Sequence, residues 1–226
     1  MFPFSCLESS VSAVDVVGWC AVVVGMVVGL PQLVRLIRTR RVDGLSLTAW
    51  RTMLAANLAW GAHGVRLGQV TMVLSNAIAL STTVAIVALL ARRFHRPVLV
   101  LMAPSVVVAG LLTTVDHVVG SVAFGVLAIL LAGVSNTGQS AQLIRAPHVA
   151  GVSTLFLTMA VLNQAMWGAW GLLVPDPGTV MTASAVFAMT SFNLTWYVLR
   201  RRGLRAFFPA PTGVAVPDPG LGNQAP

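Results

Sequence analysis

Two pairs of side chains in this sequence set an amide three residues before an indole: Asn57 with Trp60, and Gln164 with Trp167. Residues three apart share a face of a helix. An amide brings donors and an acceptor, and an indole brings an apolar ring with one donor. That combination suits a neutral solute with hydroxyl edges and apolar C–H faces. Asn76 adds a third amide inside an apolar run, where an unpaired polar group is costly, so it is expected to face the protein interior. Pro31 breaks a helical hydrogen bond inside another apolar run. It is read as a hinge, with a static kink as the alternative. Gln32 and Gln139 are read as gate residues, or equally as bonds between neighbouring helices. Asn136, Asn163 and Asn193 are read as interhelical bonds, and His63 as an interfacial or packed residue. No metal-ligand cluster, phosphate loop or nucleophile–base arrangement is apparent. The chain is therefore expected to be no enzyme, with no metal and no cofactor.

The elements that must position these residues follow from composition. Hydrophobic residues make up 57% of the 226, charged residues 9%, and the mean hydropathy is +0.86. A soluble domain carries about 25% charged residues. The apolar runs reach the roughly 20 residues that a spanning helix needs, and they are continuous rather than alternating. Lipid admits only helices or closed barrels, so helices are expected. Seven spans are placed at about Val14–Arg38, Ser46–Val65, Thr71–Ala91, Val98–Val115, Val118–Ile144, Ser153–Val174 and Thr179–Leu199. The two cysteines are too few for a disulfide framework.

The formal net charge is +8, and every basic residue other than histidine is Arg. The arginines lie in short clusters between apolar runs, which is a pattern of topology signals and argues against nucleic-acid binding. With the amino terminus outside, the inner segments hold Arg35, Arg38, Arg40, Arg41, Arg92, Arg93, Arg96, Arg145 and the cluster from Arg200 to Arg205. The outer segments hold Glu8, Asp15, Asp116 and Asp176, with Arg66 as their only arginine. Basic residues favour the cytoplasmic side, so the carboxyl terminus is expected inside. The first run lacks a basic leader and exceeds the apolar length of a signal peptide.

The sequence also repeats itself at an offset of 107 residues, as from Gly18 to Gly125. Gln32…Arg35…Arg38 answers Gln139…Gln142…Arg145, Gly44…Ser46 answers Gly151…Ser153, and Trp60-Gly61 answers Trp167-Gly168. Three helices end on the side opposite their start, so a fourth must restore direction before the second copy. The expected fold class is an all-α membrane protein with seven transmembrane helices as two parallel three-helix bundles joined by a linker helix (3+1+3). A pseudo-two-fold axis would run along the membrane normal, and such repeats place substrates between them near the midplane.

The run Gly29-Leu30-Pro31-Gln32, Arg38 and Asp43-Gly44-Leu45-Ser46 resembles a PQ-loop motif. With Trp60…His63-Gly64 and Asn76 it is similar to the SWEET and SemiSWEET sugar transporters over residues 14–201. Asn76 follows Trp60 by 16 residues, as the family's pocket Trp and Asn do. The counterpart in the second copy is Ala183 without a gap or Ser184 with one. The second copy departs further, with Gly138-Gln139 for Pro31-Gln32, and His63 stands where the family usually has Tyr. The resemblance implies the following organisation: an extracytoplasmic segment (1–13), a first repeat (14–93), a linker helix (97–116), a second repeat (118–202) and a disordered cytoplasmic tail (203–226). It implies a solute site of Asn57, Trp60, Asn76, Gln164, Trp167 and Ser184. Pro31, Gln32 and Gln139 would form the hinge and gates. The partners would be a small-molecule solute, a sugar favoured, and the bilayer, with no nucleic acid; a monomer suffices, and a homo-oligomer stays open. No carboxylate is placed deep in a span, which favours facilitated diffusion of a neutral solute. Two other readings stay open: a proton-coupled amino-acid or metabolite carrier using Asp43, and a non-transporting receptor or scaffold.

Overall fold

The computed structural model describes residues 12–39, 47–146, 149 and 152–207, with the side chains of 27–33, 35, 36, 39 and 142 outside that description. Among the described residues it holds seven helices: α1 (Ala13–Thr39), α2 (Leu47–Arg66), α3 (Val70–Arg93), α4 (Val98–Val118), α5 (Ser121–Arg145), α6 (Thr154–Leu173) and α7 (Pro177–Arg201). The shortest has 20 residues, and at 1.5 Å per residue each is long enough to cross a hydrocarbon core of about 30 Å. α3, α4 and α5 are apolar enough to cross by composition alone, and α1 contributes a shorter apolar stretch, Ala13–Met26. In α2, α6 and α7 the apolar length is interrupted by Asn57, His63, Asn163, Gln164 and Asn193.

The packing shows the repeat directly. α3 packs between α1 and α2, and α7 packs between α5 and α6. The two units meet through α1 against α6 and α2 against α5, a pair of interfaces that a two-fold axis exchanges. Close approaches recur at the same offset without a gap. A Cβ on Gly18 would meet Thr71, and one on Gly125 would meet Gly178. Gly61 faces Asn76 as Gly168 faces Ala183, and Gly64 faces Met72 and Val73 as Gly171 faces Thr179 and Val180. Small residues let helix backbones approach closely where lipid provides no drive for association.

Traced through these contacts, six helices form a closed ring in the order α1, α6, α7, α5, α2, α3. Among the described residues no helix packs directly across it, so α1 does not meet α5 and α2 does not meet α6. α4 stands outside the ring, against α2, α3 and α5. It is fastened to α2 by a defect of its own. Pro104 lies inside α4 and cannot donate to the carbonyl of Val100. The Arg51 guanidinium of α2 covers that carbonyl at 3.4 Å and the Leu101 carbonyl at 2.6 Å. Ser105 returns a bond to the Arg51 carbonyl at 2.8 Å.

The seven spans begin and end within a few residues of the sequence expectation, with one informative shift. The break expected at Asp116-His117 lies instead at Val119-Gly120, where Gly120 takes a φ of 111°. Only glycine adopts that conformation without cost. α4 therefore continues through Asp116 and carries its carboxylate into the protein. The expected disorder of the tail from 208 onward and the segment 1–11 lie outside the described residues.

Candidate functional site

The sequence-predicted solute residues are distributed as follows. Asn57 donates to the Thr83 hydroxyl at 3.0 Å, which ties α2 to α3. Asn76 donates to the carbonyl of Met72 in its own helix at 2.9 Å. Trp60 is half-buried against Phe124 of α5, edge to face with centroids 4.8 Å apart. Gln164 and Trp167 are half-buried, and Trp167 meets Trp170 edge to face at 5.5 Å. The contact of Gly168 with Ala183 makes Ala183 the counterpart of Asn76. Ser184 is therefore not that counterpart, and it is exposed on α7. The second unit repeats the amide–indole pair but has no amide matching Asn76.

Of the hinge and gate residues, Pro31 and Gln32 belong to α1, but their side chains lie outside the described residues, as does the whole of the Asp43–Ser46 segment. Gln139 accepts from Asn193 at 3.5 Å, and Asn193, fully buried, accepts from Ser140 at 2.7 Å. This network joins α5 to α7 within one unit. Asn163 bridges the units, donating to the Ala21 carbonyl at 2.9 Å.

The densest polar constellation is one that sequence reading did not assemble. It lies at the end of the ring where α2 turns into α3 and α6 into α7. His63, Asp116 and Asp176 are each at most 3% exposed. His63 Nδ1 lies 2.8 Å from Oδ2 of Asp116, and Nε2 lies 2.9 Å from Oδ2 of Asp176. Arg66, one turn beyond His63, donates its Nε–H to the same Asp116 oxygen at 2.7 Å. The His63 ring stacks on Phe124 with centroids 4.6 Å apart and meets Trp60 edge-on at 5.3 Å.

Each of these groups is placed by local structure. Asp176 is the N-cap of α7, followed by Pro177 at the first helical position, a common helix opening. Its Oδ2 accepts the Thr179 N–H at 2.8 Å, and its Oδ1 accepts the Ser121 hydroxyl. Ser121 in turn accepts the Gly178 N–H at 3.0 Å. Burial pushes the Asp176 carboxyl up, but the bonds from His63, Ser121 and Thr179 outweigh it and hold it well below the ordinary carboxylate range. The two carboxylates thus find a guanidinium and a histidine as partners, as buried charges must.

The connectivity of the cluster is as telling as its chemistry. Asp116 comes from α4, which Arg51 fastens to α2, so His63, Arg66 and Asp116 belong with the first unit. Asp176 belongs to the second. The 2.9 Å contact from His63 to Asp176 therefore joins the two units beside the α2–α5 interface, where Ser121 of α5 bonds Asp176 and Phe124 stacks on His63. It latches the two units together at one end.

Asp116 and Asp176, placed by the sequence only as acidic residues of the segments between spans, are buried at the ends of their helices and not deep in a span. His63, read as a packed residue, lies between them. The signal was present in the topology: Arg66, His63, Asp116 and Asp176 all fall at the same end of their helices, with opposite signs. What sequence could not show was that a longer α4 and a capped α7 turn both acids inward.

Helix number, twin units and spanning lengths define a multi-pass α-helical membrane protein of 3+1+3 architecture. Comparison with known proteins agrees. The PQ loop repeat family matches residues 13–69. A eukaryotic SWEET transporter solved at 3.7 Å is similar in fold, with a TM-score of 0.66, 14% identity, and coverage of 84% of this chain and 100% of that one. No curated protein matches the chain in sequence. The chain thus carries a PQ loop repeat within the fold of a SWEET transporter.

Proposed function

We propose that the protein is a facilitative carrier that moves a small neutral solute, a sugar first among them, across the cytoplasmic membrane of a bacterium by alternating access. One observation carries this reading: among the described residues six helices ring an axis that no helix-to-helix contact crosses, and a buried cluster of His63, Asp116 and Asp176 joins the two units at one end. Two rigid units, each able to pivot against the other along α1–α6 and α2–α5, are the form such a cycle needs. The fold likeness to a SWEET transporter supports it. The arginine distribution supports an outward-facing latched end, with the amino terminus out and the carboxyl terminus in.

In this cycle the solute sits at mid-depth against Trp60 and Trp167, with Asn57, Gln164 and Asn76 bonding its hydroxyls. The missing second amide at Ala183 makes the pocket lopsided, richer in hydrogen bonds on the side of the first unit. Pro31 would absorb the pivot, with Gln32 and Gln139 at the inner gate. The test is counterflow of labelled sugars and amino acids into proteoliposomes. Wild-type protein is expected to exchange at least one sugar. The Trp60→Ala, Asn76→Ala double variant is expected to lose exchange while remaining in the membrane. Retained exchange by that variant would remove this pocket, and an absence of exchange for every solute would remove the carrier reading.

A further inference from the structure

The end of the molecule opposite the buried cluster carries charge of one sign. Arg145 at the end of α5, Arg201 at the end of α7, and Arg202 and Arg205 beyond it are exposed there. The described carboxylates, Asp15, Asp116 and Asp176, all lie at the opposite end. A helix C-terminus ordinarily repels an anion, because its last carbonyls are unpaired. Here those carbonyls are covered. The Arg200 guanidinium donates to the carbonyls of Leu143 and Ile144 at 2.9 and 3.1 Å and of Ala146 at 2.6 Å, which closes the end of α5. α7 closes itself. Gly203 takes a φ of 107°, its N–H bonds the Arg200 carbonyl at 3.2 Å, and the Leu204 N–H bonds the Leu199 carbonyl at 3.0 Å. This is the glycine cap with which many helices stop. An anion approaching this end therefore meets guanidinium groups above covered carbonyls.

The same turn sends the chain back toward α5. The Phe207 N–H donates to the Ile144 carbonyl at 3.0 Å, so residues 203–207 form a short strap across the ends of the two helices. The Phe207 ring packs on Trp196 with centroids 5.6 Å apart, and Trp196 stacks on Phe192 at the same separation. α7 meets α5 through Gly178 and Thr182, and α6 through Thr179 and Ala183. The face turned away from both runs through Phe192, Thr195, Leu199 and Arg202, all exposed and at helical spacing. In a helix that spans lipid, this face meets acyl chains, and Arg202 ends it at the depth of the headgroups. Arg205 follows within the strap.

We propose that this corner of the second unit is a seat for an anionic phospholipid. Arg202 and Arg205 take the headgroup phosphate, and an acyl chain lies along Phe192 and Leu199 beside the Trp196–Phe207 pair. Charge complementarity selects the anionic head, and the continuous apolar face selects a lipid over a free phosphate. The first unit offers no equal. Its corresponding end has exposed Arg92, Arg93 and Arg96, but there the chain passes through Pro97 into α4 instead of returning as a strap. The seat does not depend on solute transport.

The test presents the full chain in detergent with equal amounts of phosphatidylglycerol and phosphatidylcholine, and counts bound lipid by native mass spectrometry. Phosphatidylglycerol is expected to be retained in preference to the zwitterionic lipid. One arginine at an anionic surface is worth roughly fivefold in binding, so the Arg202→Gln, Arg205→Gln variant is expected to cut that preference about 25-fold. Arg205→Gln alone, which lies outside every helix, should lose roughly fivefold and reads the same seat if the double variant unfolds. Phe207→Ala keeps every charge and should also weaken retention, because the aromatic wall is lost. Arg92→Gln, Arg93→Gln removes the same charge from the first unit and should leave the preference close to that of the unchanged chain. An equal loss in that variant would reduce the effect to net charge and overturn the seat. Equal retention of the two lipids, or an unaltered preference in Phe207→Ala, would overturn it as well. Displacement of the lipid by glycerol 3-phosphate at matching concentration would make the occupant a soluble phosphate ester and overturn the assignment to lipid.

Discussion

The two three-helix units share a backbone plan and differ in what fills it. At the tightest approach of first to third helix, Gly18 meets the side chain of Thr71, whereas Gly125 meets the backbone of Gly178. At the turn between second and third helices, the first unit opens α3 with Gln69, whose side chain makes no cap, and the second opens α7 with the capping Asp176. At the equivalent place near the end of the second helix, one unit has His63 and the other Trp170. The two units agree where backbones come close and differ where side chains meet. The second unit is the more tightly closed, and the ionic latch lies between unequal halves.

The largest effect expected from breaking this comparison is at the glycines. A Cβ on Gly178 runs into the Ser121 backbone, which cannot yield, while one on Gly18 meets only a threonine side chain. Overpacking costs about 1–3 kcal/mol. Gly178→Ala is expected at or beyond the top of that range and Gly18→Ala at the bottom, measured by thermal unfolding of the full chain in detergent. Changing Thr71 to Gly, the residue the second unit uses there, should rescue Gly18→Ala. Equal losses for the two alanines would erase the asymmetry.

Next in size is the exchange of caps. Asp176→Gln imports the first unit's residue, removes the cap and takes the carboxylate from the buried His63 Nε2 and the Ser121 hydroxyl, for which about 3 kcal/mol is the expected loss. Gln69→Asp should stabilise α3 by roughly 1 kcal/mol, the ordinary worth of a cap. The same melts measure both, and a neutral Asp176→Gln would deny the latch its energy.

Acid should reveal the same difference more gently. The folded Asp176 carboxyl lies below its ordinary value of 3.8. Its stabilisation is therefore complete above that value and is lost as pH falls through the lower folded one. Melting temperature should hold between pH 7 and about 5 as far as this group is concerned, then fall in stronger acid. Asp176→Asn should lack the acid-dependent loss. An equal acid loss in that variant would assign it to other groups.

The smallest stability effects belong to the proposed pocket. Asn76 bonds only its own helix, and a net hydrogen bond is worth about 1 kcal/mol. Asn76→Ala, which copies the second unit, should shift melting little while weakening exchange of the best sugar. Ala183→Asn should complete a symmetric amide pair and alter which sugar is preferred, read by competition in counterflow.

Much of this architecture could be read from the chain. Apolar lengths and arginine clusters placed seven helices, and the gap-free match of Gly18 with Gly125 and of Trp60 with Trp167 exposed the twin plan. Periodicity and charge are properties of neighbouring residues, so sequence displays them. The latch was hidden because its members lie far apart in the chain: His63 and Asp176 come together only when the two units close. Asp116 was misread for a smaller reason, since Gly120 was the true break and α4 ran one turn further. Ser184 was offered as the second-copy counterpart of Asn76 by allowing a gap, where the contacts of Gly61 with Asn76 and Gly168 with Ala183 need none.

The connecting helix has a consequence of its own. It belongs to neither repeat, and it restores the direction that a second, like-oriented three-helix unit needs. Yet it contributes Asp116, without which His63 would have a single anionic neighbour. A pair of separate half-length chains could rebuild the ring and its axis but would lack this helix, so Arg66 and the His63 Nδ1 would have no carboxylate beside them.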